Sequence, residues 1–414
     1  MLKLRYNKLI TTLFIFLILF AFFIPNVALA NHAFSCGGDY GNFSTWNDAI
    51  SAANYYATMG YSSFYSTDPS YSTLNGNFSD GWRRLHSDIL FFSSHGNSNG
   101  VYFPDSSLVV SNGNSSSVYT KNVNWDYVRL VVFGGCETAA GTYNITNDTH
   151  DRKVEVSIGW QRTIGNVSHS QWLDRFNSKI NSGATVGEAV DYAHSFTYND
   201  PNVKRIVRRG SENLRLRLTR AFSVDEFSSN SNSKFGNNLK PLEKLNTINL
   251  NNKKILFNSN NDIDNIINVI KENNPSFNKN DYKIDVIETS YDNDFTIDIY
   301  LLGSNNSITN YGYTVNVSDN IVTSIVDNTY DINQVNVLNS NSNVTNEIEN
   351  LAKSEGLDNL KNNLKPEYQD KCKILDQNTS IHQDLKNNST YIVVLTHYTL
   401  DGESSAVDEY LYYL

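Results

Sequence analysis

Cysteine is scarce. Cys36, Cys136 and Cys372 are the only three in 414 residues. So low a count excludes a disulfide-stapled scaffold. An odd number also leaves at least one thiol unpaired in an exported chain. Cys36 can be paired with Cys372 on paper, but no sequence feature does so, and Cys136 is the thiol set apart by its surroundings. Positive charge is short too. Thirty-three Lys and Arg stand against 43 Asp and Glu, a formal charge of −10. A leader carrying Lys3, Arg5 and Lys8 and no acidic residue would, once removed, take this to −13 (−10 − 3). Nothing in that balance favours nucleic acid or an anionic membrane as partner. No cofactor pattern and no metal-ligand spacing stands out, so none of either is expected.

What is present begins with a targeting pattern. A basic start is followed by an almost wholly apolar run from Leu9 to Ile24, and Ala28-Leu29-Ala30 reads as a small-residue cleavage site. A signal peptide is therefore expected over 1–30, giving a secreted or cell-surface protein that is free of the membrane after cleavage.

The remaining 384 residues (414 − 30) divide by pattern. Residues 31–222 alternate helix and strand signals and are expected to form an α/β unit. Ser44 to Met59 reads as a helix with a Trp46, Ile50, Ala53, Ala57 stripe. Val101–Phe103 and Leu108–Ser111 suggest a hairpin, and the stretch after Cys136 reads as polar loop up to Arg152. Trp172, Phe176 and Ile180 mark a second helix, and Thr185 with Glu188 forms a capping box for a third. Lys204, Arg205, Arg208, Arg209, Arg215, Arg217 and Arg220 form a basic cluster, read as a solvated strand face or a patch for an acidic partner. Residues 223–252 are rich in Ser and Asn and read as a linker. Residues 253–414 open on the stripe Ile263, Ile266, Ile267, Ile270 and continue in strands, an α+β module by element order. Its His382 and His397 stand alone, so the module is expected to be dispensable for chemistry.

Two stretches carry the chemistry. DILFFSSHGN, 88–97, is an apolar run ending in His95 and Gly96; LVVFGGCETA, 130–139, is an apolar run ending in two glycines and Cys136. Runs of this kind suit buried strands, and open α/β sheets bind ligands at the C-terminal ends of their strands. An imidazole can take the thiol proton and return it to a leaving amine. The backbone N–H groups of Gly96 and Cys136 are candidate donors to a developing oxyanion. Together these residues suit acyl transfer through a thioester. The plain alternative is a small buried hydrophobe, the commonest use of a free cysteine.

These blocks resemble the two catalytic blocks of caspase-fold cysteine peptidases, the group that includes caspases, gingipains, clostripain-like enzymes and CHAT domains. The likeness covers about residues 33–222 and includes GSENLRLRL, 210–218, which is similar to the closing segment of gingipain-like and CHAT-like domains. It implies a mostly parallel sheet flanked by helices, with His95 as general base, Cys136 as nucleophile and Gly96 as an oxyanion donor. It also places Ser157–Trp160 on the strand bordering the substrate pocket. Ser157 and Trp160 are thus candidate substrate-binding residues, and Trp160 serves equally as plain core. The expected function is a secreted cysteine endopeptidase acting on protein or peptide substrates. Two other functions remain open: a non-catalytic binding protein on the same fold, and a cysteine amidase or acyltransferase.

Overall fold

The computed structural model describes residues 31–216, except 42, and 242–414, except 251–252, 260–261, 290–292, 304–305, 330–343, 386, 388, 401 and 403. The expected leader, most of the 223–252 linker, Arg217 and Arg220 lie outside the described residues. From His32 to Leu414 the chain forms one compact unit. It is a mixed α/β structure, with a mostly parallel sheet flanked by helices and a C-terminal module of antiparallel strands.

The first sheet is built from β1 (His32–Gly37), β2 (Ser62–Thr67), β3 (Ile89–Ser93), β8 (Leu130–Gly134), β9 (Val156–Trp160) and β10 (Ile206–Gly210). Their order is β10-β9-β8-β3-β1-β2. All neighbours run parallel except β9 and β10. Every residue of β3 and β8 is buried, as a strand covered on both faces demands. Alternate residues feed two cores, because successive side chains leave opposite faces of a strand. Ile89, Phe91, Leu130 and Val132 enter one core, and Leu90, Phe92, Val131 and Phe133 the other.

The first core is closed by α1 (Trp46–Thr58), α3 (Asn166–Asn181) and α4 (Val186–His194), through Ala52, Tyr56, Trp172, Phe176 and Ala189. The buried face of α1 is Ala49, Ala52, Ala53 and Tyr56 rather than the expected stripe, and Trp46 is exposed. A polar contact helps fix that rotation: the Tyr56 hydroxyl donates to Asn177 on α3 at 2.8 Å. The Thr185–Glu188 capping box is present at the start of α4. The second core is covered by the β5 (Gly100–Phe103) and β6 (Ser106–Val109) hairpin and by α2 (Ile145–Asp151). That helix replaces the polar loop expected after Cys136; its start signal is Asn144, whose side chain accepts from the Asn147 N–H.

The second sheet crosses the molecule. It contains β4 (His95–Asn97), the β5–β6 hairpin and β7 (Ser117–Tyr119). It continues through β11 (Tyr282–Glu288), β12 (Phe295–Leu302), β13 (Ile308–Ser318), β14 (Ile321–Asp327), β15 (Cys372–Asp384), β16 (Ser389–Leu400) and β17 (Ser404–Tyr413). The junction is a single pair, Ser405 of β17 opposite Gly96 of β4. On the C-terminal side, α5 (Ile263–Asn273) packs over β12–β14, and α6 (Asn346–Asn363) over β16 and β17. The described end of the expected linker joins both halves: Leu245 packs on the first core and Ile248 lies in the C-terminal one.

Among the described residues the basic cluster is not one solvated face: Arg215 is exposed, Arg205 and Arg209 are half-buried, and Lys204 and Arg208 are buried. Lys204 is fully buried and donates to Asp298 at 2.6 and 2.8 Å. Arg208 is buried and paired with Glu212, while Arg209 donates to Asn147. All three cysteines are free: Cys36 and Cys136 are buried, and Cys372 is half-buried. No described helix is long and apolar enough to cross a membrane.

Candidate active site

β3 and β8 lie side by side in register, Ser93 opposite Gly134. His95 follows the end of β3 by two residues, and Cys136 follows the end of β8 by two. Both therefore arrive at the C-terminal edge of neighbouring parallel strands. The glycines let those ends touch. A methyl group at Gly96 would lie 2.8 Å from the Cys136 carbonyl oxygen, and one at Gly135 would lie 3.0 Å from the Ser94 carbonyl oxygen. Real carbon atoms essentially never approach as closely as at Gly96, so a larger residue there would force the strand ends apart, and one at Gly135 would need the Ser94 backbone to give by a few tenths of an ångström.

The chain turns sharply after the cysteine. Glu137 takes a left-handed backbone conformation at φ 58°, uncommon for a residue with a side chain. Buried Thr138 holds the turn: its hydroxyl donates to the Phe133 and Gly135 carbonyls at 2.9 and 3.1 Å and accepts from the Trp160 N–H at 3.1 Å.

His95 and Cys136 line one narrow cavity together with Phe43, Ile164, His169 and the segment Ser405–Val407. Its volume, about 10 Å³, is room for at most one water. His95 is boxed by aromatic rings: Tyr40 at 4.1 Å, Phe43 at 5.0 Å and Tyr398 at 5.7 Å between centroids. Its Nδ1 faces the Ser405 carbonyl oxygen at 3.4 Å. A carbonyl only accepts, so Nδ1 carries the proton and Nε2 keeps the lone pair. That Nε2 is buried with no hydrogen-bond partner. Burial pulls the imidazole pKa down to about 4, with the Ser405 carbonyl opposing it, so the ring is neutral at pH 7.

The Cys136 thiol is held by Ile164: Sγ accepts from the Ile164 N–H at 3.4 Å and faces its carbonyl oxygen at 3.8 Å. Burial pushes its pKa up to about 12, partly offset by the Ile164 contact. No hydrogen bond joins the two side chains. A neutral thiol and a neutral imidazole therefore line the same cavity.

The structure brings His95, Gly96 and Cys136 together and leaves Ser157 and Trp160 elsewhere. Ser157 is fully buried and its hydroxyl meets that of Thr149. Trp160 is also fully buried; it packs edge-on to Trp172 and donates to the Val203 carbonyl. Trp160 thus serves as core, and neither residue lines the cavity.

One further imidazole does. His169 lies in the first turn of α3. A methyl group at Gly134 would meet its ring at 3.0 Å, and its Nε2 is buried without a partner. The available signal was its place three residues before Trp172, on the buried stripe of that helix. Burial lowers its pKa to about 3. Two residues of the C-terminal half also belong to the site's surroundings: Ser405 against His95, and His397, whose Nδ1 lies 3.1 Å from the Thr163 hydroxyl.

Among the described residues, no group of three or more His, Cys, Asp or Glu is placed to hold a metal ion. Fold and site together define an α/β protein with a buried histidine and cysteine at the C-terminal edge of its parallel sheet. Compared with models of known families and with curated proteins, the chain matches none.

Proposed function

We propose that this protein is a cysteine peptidase of caspase-like fold, with His95 as general base and Cys136 as nucleophile. One observation carries the reading: neighbouring parallel strands deliver the two residues into one cavity, and the base nitrogen of His95 has no other partner. The mostly parallel sheet flanked by helices supports it as well. The leader pattern adds export of the mature chain from about Asn31, which N-terminal sequencing of the exported protein checks.

The chemistry follows from the protonation states. His95 Nε2 accepts the thiol proton as sulfur attacks the substrate carbonyl carbon. The Gly96 and Cys136 N–H groups are the candidate donors to the resulting oxyanion. As the C–N bond breaks, the imidazolium returns its proton to the leaving amine. Water, deprotonated by the same imidazole, then cleaves the thioester and releases the acid. An amidase or acyltransferase would share the first step and differ in what accepts the acyl group.

The enclosure of Cys136 favours a second reading, a non-catalytic protein with a structural thiol. Mapping the residue modified by an irreversible peptidyl electrophile separates the two. Modification at Cys136 that depends on His95 supports the peptidase. Modification that is indifferent to His95 supports the structural thiol.

A further inference from the structure

The cavity is closed by a strand from the far end of the sequence. Ser405 pairs antiparallel with Gly96, beside the base. Val407, two residues on, forms a parallel bridge with Gly165, beside the Ile164 that holds the thiol. Alternate residues of one extended segment therefore reach both banks of the site. Between them Ala406 is 2% exposed, and it lines the cavity with Ser405 and Val407. The Ser405 carbonyl is the group that meets His95.

A latch sits just beyond. The Glu409 carboxylate accepts from the N–H and hydroxyl of Ser168 in the first turn of α3, at 3.1 and 3.0 Å, and from Asn199 at 2.7 Å. A carboxylate there is favoured by the unpaired N–H groups and the helix dipole. Its neighbour Asp200 accepts from the Gly165 N–H at 2.7 Å, steadying the bank that Val407 meets.

We propose that Ser405–Val407 is an internal occupant of the substrate groove, so that the folded chain is latent until this segment of β17 lifts. The proposal rests on the peptidase reading and extends it to substrate. What fits in the segment's place is an extended polypeptide that adds as a strand between Gly96 and Gly165, with a small side chain at the residue beside Cys136, as Ser405 and Ala406 have. The geometry leaves no room for a scissile peptide while the segment is in place, and the unpartnered Nε2 of His95 is what an enclosed, idle base would show.

The test compares Cys136 with Cys36 in the full-length wild-type protein. Both are buried, but Cys36 lies within β1 between β2 and β3, whereas Cys136 needs Ser405–Val407 to part from Gly96, Gly165 and the adjoining residues of β16. Labelling with iodoacetamide in native buffer, read residue by residue by mass spectrometry, is expected to modify Cys136 at least about 10²-fold faster than Cys36, the mark of a local opening. Glu409→Ala should speed Cys136 a further tenfold or more and leave Cys36 unchanged. A synthetic SSAVDE peptide, the sequence of Ser404–Glu409, should slow it again. In the Glu409→Ala protein, peptides with Ala beside the cleavage point should be cut in preference to those with Trp. Equal labelling of both thiols in wild type would overturn the proposal, since the segment would then be permanent core. So would wild-type Cys136 reacting as fast as a free small thiol. The peptidase reading fails separately, if Glu409→Ala exposes Cys136 and no peptide is cut.

Discussion

Two buried cysteines, the last residue but one of β1 and the second residue past the end of β8, separate structure from chemistry. Cys36 is fully buried among Phe34, Leu90 and Phe92, and desolvation raises its pKa. Cys136 is buried nearly as well, and its pKa is raised for the same first reason. Burial and acidity do not tell them apart. Position along the strand does. A residue inside a parallel strand has side chains on every side, while one just beyond its end meets loops, helix starts and whatever crosses the sheet edge. Cys136 thus shares a cavity with two imidazoles and the Ser405–Val407 segment, while Cys36 lies in an apolar core with the Arg84 guanidinium near it.

The sharpest break in that comparison is to remove each sulfur in turn. Cys136→Ala should abolish peptide cleavage in the Glu409→Ala background. Cys36→Ala should leave cleavage intact and cost about 1 kcal/mol of stability, a small cavity in a packed core. Activity assays and urea denaturation read the two effects. Equal loss from both would mean that Cys136 matters only for packing. Next in size, His95→Ala should lower the rate about 10²–10⁴-fold at neutral pH, the usual range for a general base. A Cys136→Ser, His95→Ala double variant should be scarcely worse than the worse single one, because residues acting as a unit are not additive.

The turn after Cys136 has no counterpart at Cys36. Thr138→Val keeps its shape and deletes a hydroxyl with three buried partners. Denaturation should register a loss of about 1–3 kcal/mol, and Cys136 labelling should rise as the turn loosens. Stability that stays unchanged would mean that the hydroxyl does not hold the turn.

pH gives a finer contrast, for the folded state as a whole. Burial depresses the His169 pKa to about 3, so the unfolded chain binds its proton more readily. This group's contribution to stability is present above about pH 6.5 and is lost as pH falls toward 3. His169→Phe should therefore flatten the acid limb of the stability curve by up to about 1.4 kcal/mol per pH unit, while the raised carboxylates of Asp48 and Asp200 act the same in both proteins. Parallel curves for wild type and variant would contradict this. The smallest effect expected is at Glu137. Glycine accepts a left-handed backbone without strain, so Glu137→Gly should alter stability by no more than about 1 kcal/mol and spare the chemistry.

Much of this was legible in the sequence, and the rest was hidden for physical reasons. The unbroken apolar runs of β3 and β8 suit strands covered on both faces, and a residue just after such a run falls at a sheet edge; that pointed to His95 and Cys136. The Thr185–Glu188 box announced a helix because its bonds are local. Ser405 was not legible, since it meets His95 across 310 residues and nothing local marks it. β15 carries no clear strand signal because its Cys372–Asp384 pattern is polar and most of its residues are only half-buried. Trp160 read as either wall or core, and only the packing of α3 against it decides for core.

The most direct test of the central claim is covalent trapping at Cys136 in the full-length Glu409→Ala protein, with and without His95. A peptidyl electrophile with alanine at its reactive end should modify Cys136 alone among the three cysteines. The rate should rise with pH and level off near the ordinary thiol range, because the opened site no longer desolvates the sulfur. His95→Ala should slow it by about 10²-fold or more at pH 7. A rate that is the same with and without His95 would contradict the account, leaving Cys136 a structural thiol at the end of a buried strand.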